Sequence, residues 1–145
     1  MKNNRPPLIL LLMPPAAAIL AGCVLLPGGR VTESATVVYT AGASQHTAAV
    51  EVPVEASIVH DAMIRIIESN PDVVVINRND HGMLVEVTQN SRRITGQVTK
   101  LGVGRSMLYI WADSGSSGQA GREMAISAVE KICDELEVEY KLVNY

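Results

Sequence analysis

MLVEVTQNSRRITGQVTKLGVGRSMLYIWAD, residues 83–113, decides the fold. Met83, Val85 and Val87 alternate with Leu84, Glu86 and Thr88. Ile94, Gly96 and Val98 alternate with Thr95, Gln97 and Thr99. Successive side chains of a strand point to opposite faces, so period two predicts half-buried strands. Asn90-Ser91 and Gly102-Val103-Gly104 separate the runs with turn chemistry, which makes neighbouring strands antiparallel. Met107 to Ala112 is the last strand of the set, with Leu108, Ile110 and Ala112 on one face and Met107, Tyr109 and Trp111 on the other. Upstream, Val73 to Asn77 is a further short strand, closed by the turn Asn79-Asp80-His81-Gly82. Four strands joined by three short turns read as a meander.

The flanks carry helical spacing. In SIVHDAMIRIIESNP, residues 57–71, Ile58, Val59, Ala62, Met63, Ile66 and Ile67 form one wide apolar stripe. Ser57 is the expected N-cap, Asp61 suits the positive end of the helix dipole, and Asn70-Pro71 ends the helix. Beyond the meander, Ala125, Ala128, Val129, Ile132, Cys133 and Leu136 recur at the spacing of a second amphipathic helix. Its alanines let it approach a sheet closely. Val50 to Val54 reads as an opening strand, with Pro53 favouring an edge or an end. Leu136, Val138, Tyr140 and Leu142 alternate as a closing strand. The expected fold is α+β in two layers: an antiparallel meander sheet with two helices on one face, in the order β-α-β-β-β-β-α-β. Phe is absent, so the core is aliphatic.

The N-terminus is of another kind. Lys2 and Arg5 precede an apolar run from Leu8 to Leu20, as in a secretory signal. Pro14-Pro15 interrupts that run, which argues against a spanning helix. Leu20-Ala21-Gly22-Cys23 resembles the lipobox of bacterial lipoproteins. That resemblance implies cleavage before Cys23 and acylation of its sulfur and new amine, and more than one acyl chain gives stable anchoring. Residues 1–22 are then a lipoprotein signal peptide, 23–47 the lipidated cysteine and a Gly/Ser-rich tether, and 48–145 a single domain. Thr36 to Thr40 has strand propensity and is expected to pair with the domain edge at most. Taking Lys2 and Arg5 out of the 12 Lys and Arg leaves 10 against 15 acidic residues, and the net charge moves from −3 to −5. An acidic chain argues against nucleic acid as partner. Val24, where an inner-membrane retention signal would have Asp, implies the outer membrane, with the domain facing the periplasm. The lipobox, tether, "VPVEAS" entry to a helix, meander and Ala-rich second helix together look like small bacterial envelope lipoproteins that carry a domain of unknown function. That resemblance implies no site beyond Cys23.

Candidate chemistry is sparse. Gly115 to Arg122 follows a strand and opens a helix, where free backbone N–H groups can hold an anion; Gly118, Gly121 and Arg122 are the candidates. The spacing is neither a dinucleotide fingerprint nor a P-loop. His46, His60 and His81 do not form a metal set and read as solvated surface residues. No metal or cofactor is expected. None of the serines sits in a nucleophile elbow. Cys133 reads as a small buried hydrophobe. Arg92, Arg93, Lys100 and Arg105 lie by the meander turns and read as scattered surface charge, with anionic headgroups or peptidoglycan as the alternative. Met107, Tyr109 and Trp111 face away from the helices and form a candidate partner surface, because aromatic residues are enriched where proteins dock. The expected role is a non-catalytic binding or accessory one, docking an envelope protein. The alternative is a hydrolase, or a small-ligand or anion-binding protein, working at the 115–122 loop.

Overall fold

The computed structural model describes residues 34–42, 45–113 and 118–144, which belong to one compact unit, Thr32–Tyr145. Cys23, the signal region and Gly115 to Ser117 lie outside the described residues. The chain is α+β. Its strands are β1 (Ala35–Ala41), β2 (Gln45–Val52), β3 (Val73–Asn79), β4 (Leu84–Gln89), β5 (Arg92–Gly102), β6 (Arg105–Asp113) and β7 (Tyr140–Asn144). Helix α1 (Ala56–Glu68) follows β2, and α2 (Gly118–Glu135) follows β6. The sheet order is β3-β4-β5-β6-β2-β1-β7.

The four central strands of the sequence are consecutive neighbours, all antiparallel. The simple meander is nevertheless corrected. β2 joins the far side of β6, β1 pairs antiparallel with β2, and β7 closes the sheet parallel to β1. The expected tether is corrected too from Ala35 onward. Ala35, Val37 and Tyr39 are buried while Thr36 and Thr40 are exposed, so this stretch is a strand with one core face. Its small residues cluster at 41–44 in the sequence, from the last residue of β1 onward, and gave the stretch a linker-like composition.

Local chemistry sets the turns. Asn90 and Ser91 both have positive φ, 52° and 61°, and join Gln89 to Arg92 in two residues. That is the type I′ hairpin turn, whose twist matches that of the strands. Gly104, φ 67°, turns β5 into β6. The N-cap of α1 is Glu55, not Ser57, and no side chain caps it. The Glu55 carboxylate instead accepts the Gly104 N–H at 2.6 Å, tying the β5–β6 tip to the helix start. Asp61 falls beyond the first turn and does not serve the dipole there. The Asn70 side chain accepts the Asp72 N–H at 3.1 Å, a local turn that competes with further helix. At the end of α2, Glu137 adopts φ 54°, the Glu137 N–H reaches the Asp134 carbonyl at 3.0 Å and the Val138 N–H that of Cys133 at 2.9 Å. This Schellman closure stops the helix and releases the chain toward β7.

Both helices cover the same sheet face. α1 packs on β5 and β6, α2 on β2 and β6, and the two touch each other. Arg65 and Glu135 bridge them at 3.0 Å, both half-exposed, so the pair adds little stability. Val37, Val50, Leu108, Ile110, Ala125 and Val129 lie between the layers, each at most 2% exposed. Burying a side chain the size of Leu108 contributes roughly 2 kcal/mol. Seven strands at about 4.8 Å spacing make a sheet about 29 Å wide, whereas two helices of about 10 Å each cover about 20 Å. The shortfall lies over β4, between its helix-facing side chains and the sides of α1 and α2.

Candidate functional site

That shortfall is a cavity of about 380 Å³. Met63, Ile66 and Ile67 of α1 form one wall, Val85, Val87 and Ile94 of β4 and β5 the floor, and Met124 and Ala128 of α2 the other wall. Gly96 belongs to the floor because a side chain there would collide with Met63: an added Cβ would lie 2.5 Å from Met63 Sδ and 3.3 Å from Ile110 Cδ1. Polar side chains stand around this aliphatic interior. Asn70, Gln89, Asn90, Arg92, Glu123 and Lys131 all line it. Asn90, Glu123 and Lys131 are exposed, whereas Arg92 is partly buried. Ligand sites typically measure about 300–1,000 Å³, are mostly apolar and carry a few convergent polar groups.

Helical spacing explains the α2 wall. Ala125, Val129, Ile132 and Cys133 face the sheet and are at most 3% exposed. Met124, Ala128 and Lys131 are displaced around the helix and face the cavity. The sheet side follows from register. Gln89 pairs with Arg92 at the β4–β5 hairpin, and both lie on the helix-facing side with Ile94. From there an Arg92 Nη1 donates to Met124 Sδ at 3.9 Å.

The residues singled out by sequence fall in separate places. Met107, Tyr109 and Trp111 are partly exposed on the sheet face that the helices leave open, while Leu108, Ile110 and Ala112 are buried on the other. Tyr109 and Trp111 stack, with ring centroids 5.6 Å apart and planes 11° from parallel. Ala49 and Gln97 flank Tyr109, and Thr47 and Thr95 flank Trp111. Gly118 and Gly121 fall in the first turn of α2, and Gly121 is buried. The Arg122 guanidinium lies over the Tyr39 ring, 5.0 Å from its centroid, a cation–π contact.

His46 and His60 are not surface residues, and the solvated reading of both is corrected: they are 6% and 5% exposed. His46 occupies the helix-facing side of β2, opposite Ala112, and Tyr39 Oη hydrogen-bonds its Nδ1. His60 adds to the buried stripe of α1 that runs through Ala56, Val59, Met63 and Ile64, with Nε2 3.7 Å from Asp80 Oδ1. Neither Nε2 has a hydrogen-bond partner. His81 is exposed in its turn. Among the described residues no three His, Cys, Asp or Glu side chains gather as metal ligands. Cys133 is fully buried, and its thiol is pushed up to about 11 by burial, then by Asp134 and Glu130. Such a thiol is packing, not a nucleophile. The meander cations are largely spoken for: Arg93 pairs with Glu86 at 3.0 Å, and Arg105 with Glu51.

The cavity itself was missed. Six strands were expected, and the one extra column of sheet is β1, which comes from the stretch read as tether.

No family model matches the chain, and no curated protein matches it. Two solved structures are similar in outline. One is a conserved protein of unknown function from Enterococcus faecalis, with TM-score 0.46, 7% identity, and coverage of 69% of this chain and 74% of that one. The other is the Zhui aromatase/cyclase of a Streptomyces species, with TM-score 0.38, 11% identity, and coverage of 63% and 87%. Among the described residues no helix is long and apolar enough to cross a membrane.

Proposed function

We propose that the chain is an envelope lipoprotein, held at the outer membrane through Cys23, whose periplasm-facing domain is a non-catalytic binder of a small apolar or amphipathic molecule. The molecule occupies the space between α1, α2 and the β4–β5 hairpin. The supporting observation is the cavity of about 380 Å³, aliphatic inside and polar at its border. An apolar space of this size left to water forfeits the contacts that close packing gives every other part of the core. A ligand restores them. This moves the small-ligand role from the 115–122 loop to the flank of α2.

Fluorescence with the neutral probe N-phenyl-1-naphthylamine tests it. The full chain brightens the probe at one equivalent, and Ala128→Phe, which fills the cavity from its α2 wall, removes the signal while the thermal transition stays cooperative. Unchanged brightening in Ala128→Phe contradicts the reading. Mass spectrometry of the native protein tests the anchor: residues 1–22 are absent and the sulfur of Cys23 carries acyl chains.

A second reading, docking of an envelope protein on the open sheet face, is favoured by the partly exposed Tyr109–Trp111 stack. A photo-crosslinker at position 111 captures a discrete adduct if this holds, and Tyr109→Ala abolishes it. Absence of any adduct in whole cells removes this reading and leaves the cavity untouched.

A further inference from the structure

Four arginines outside the cavity are neutralised by carboxylates. Arg65 meets Glu135 at 3.0 Å, Arg78 meets Asp80 at 2.6 Å and Glu68 at 3.3 Å, Arg93 meets Glu86 at 3.0 Å, and Arg105 meets Glu51. Arg92 differs. It is partly buried, it lines the cavity, and its described partner is the Met124 thioether, a weak acceptor, at 3.9 Å. A guanidinium offers five donors, and withdrawing it from water without an anion is unfavourable. The chain has 15 acidic residues to draw on, yet none pairs with Arg92 among the described residues. Lys131 lines the same cavity, and it stands seven residues from Met124 on α2, about 10 Å along the helix. Among the described residues the one carboxylate of the cavity lining, Glu123, is exposed and accepts a hydrogen bond from Gln119 at 3.1 Å.

We infer that the cavity takes a single-chain amphipath with an anionic head. Its alkyl chain lies among Met63, Ile66, Val85 and Val87, and its carboxylate or phosphate oxygens accept from the Arg92 guanidinium, with Lys131 as the second cation. This rests on the reading of the cavity as a ligand site and adds the chemistry of the ligand. Size agrees: a cavity of 380 Å³ has room for about a dozen water-sized groups at roughly 30 Å³ each, which suits one chain of about ten carbons and not two. Charge agrees as well, because an anionic head would give the partly buried Arg92 a far better acceptor than the Met124 sulfur. A carboxylate head would come from a free fatty acid and a phosphate head from a lysophospholipid-like lipid. Both present oxygens that a guanidinium can grip in pairs.

Equilibrium dialysis of the full chain carrying Cys23→Ala, which removes any acyl chain of its own, decides between the sources and tests the inference. Decanoate, decyl phosphate and 1-decanol are the probes. Decanoate or decyl phosphate, or both, bind about tenfold or more tighter than decanol, and Arg92→Gln removes that advantage while leaving decanol within about twofold. Decanoate alone identifies the fatty acid, decyl phosphate alone the lysolipid, and either supports the shared chemistry. Equal binding of all three, unaffected by Arg92→Gln, overturns the anionic head and leaves the cavity standing. No binding of any probe, with Ala128→Phe behaving as the parent, overturns both. Arg92→Lys keeps the charge but not the paired donors, and it restores part of the advantage if the cation matters rather than the fold.

Discussion

Replacing Gly96 by alanine asks whether the space beside Met63 is open. The added methyl would sit 2.5 Å from Met63 Sδ, whereas ordinary contact begins near about 3.5 Å, so the sulfur must retreat by about 1 Å. Ile110 Cδ1, at 3.3 Å, needs only a slight adjustment. Overpacking a filled core costs about 1–3 kcal/mol. Met63, however, is unbranched and lines the cavity, so its thioether can swing into unoccupied volume at the low end of that range. Against this, alanine restricts the unfolded chain and returns about 0.4–1 kcal/mol. The two effects nearly cancel, and the expected net change is a loss of about 1 kcal/mol or less. Urea unfolding at constant m-value reads it as a small shift of midpoint. The displaced sulfur also takes up ligand space, so binding of N-phenyl-1-naphthylamine weakens several-fold in a protein that is nearly as stable as its parent. A stability loss above about 3 kcal/mol refutes the reasoning, because it means that Met63 is hemmed in on every side.

Two further outcomes follow from the backbone and the buried thiol. Ser91→Gly relieves a left-handed conformation at the second position of the β4–β5 turn and stabilises the protein by about 1 kcal/mol in the same urea assay, since a side chain there costs about 1–2 kcal/mol. Cys133 is protonated more firmly in the folded chain, at about 11 against an ordinary 9.0, so its contribution is complete below pH 9 and fades as pH rises through 11. The loss amounts to roughly 2–3 kcal/mol, it is absent in Cys133→Ala, and thermal unfolding scanned from pH 8 to 11.5 shows the difference between the two slopes. A parallel decline in both proteins contradicts it.

Much of the fold is legible where burial is one-sided. The alternation at Leu108, Ile110 and Ala112 against Met107, Tyr109 and Trp111 names the core face of β6 correctly, because only one face meets helices. The Ala125, Val129, Ile132 and Cys133 stripe likewise names the buried side of α2. Legibility fails where a signal is local and its consequence is not. Ala41 to Ser44 reads as linker from composition, yet the alternation of Val37, Tyr39 and His46 with polar neighbours carries two strands. Pairing partners are also invisible: nothing in Tyr140–Asn144 says that it lies parallel to β1. Arg92 is one of two adjacent arginines in sequence, and only the pleat separates them. Arg93 points to the open face and meets Glu86, while Arg92 points to the helices and meets sulfur. His60 shows the same limit on a helix, where one residue of phase turns a surface side chain into a buried one.

The most direct measurement is a titration of the full chain carrying Cys23→Ala, labelled with ¹³C at the methionine methyl groups, with decanoate, followed by NMR. Met63 and Met124 line the cavity, and Met107 lies on the opposite side of the sheet. Saturable shifts at Met63 and Met124 with Met107 unmoved are the predicted result, and Arg92→Gln weakens the titration about tenfold. Shifts confined to Met107, or no saturable shift at any of the three, contradict the proposal that this protein holds its ligand between its helices and its sheet.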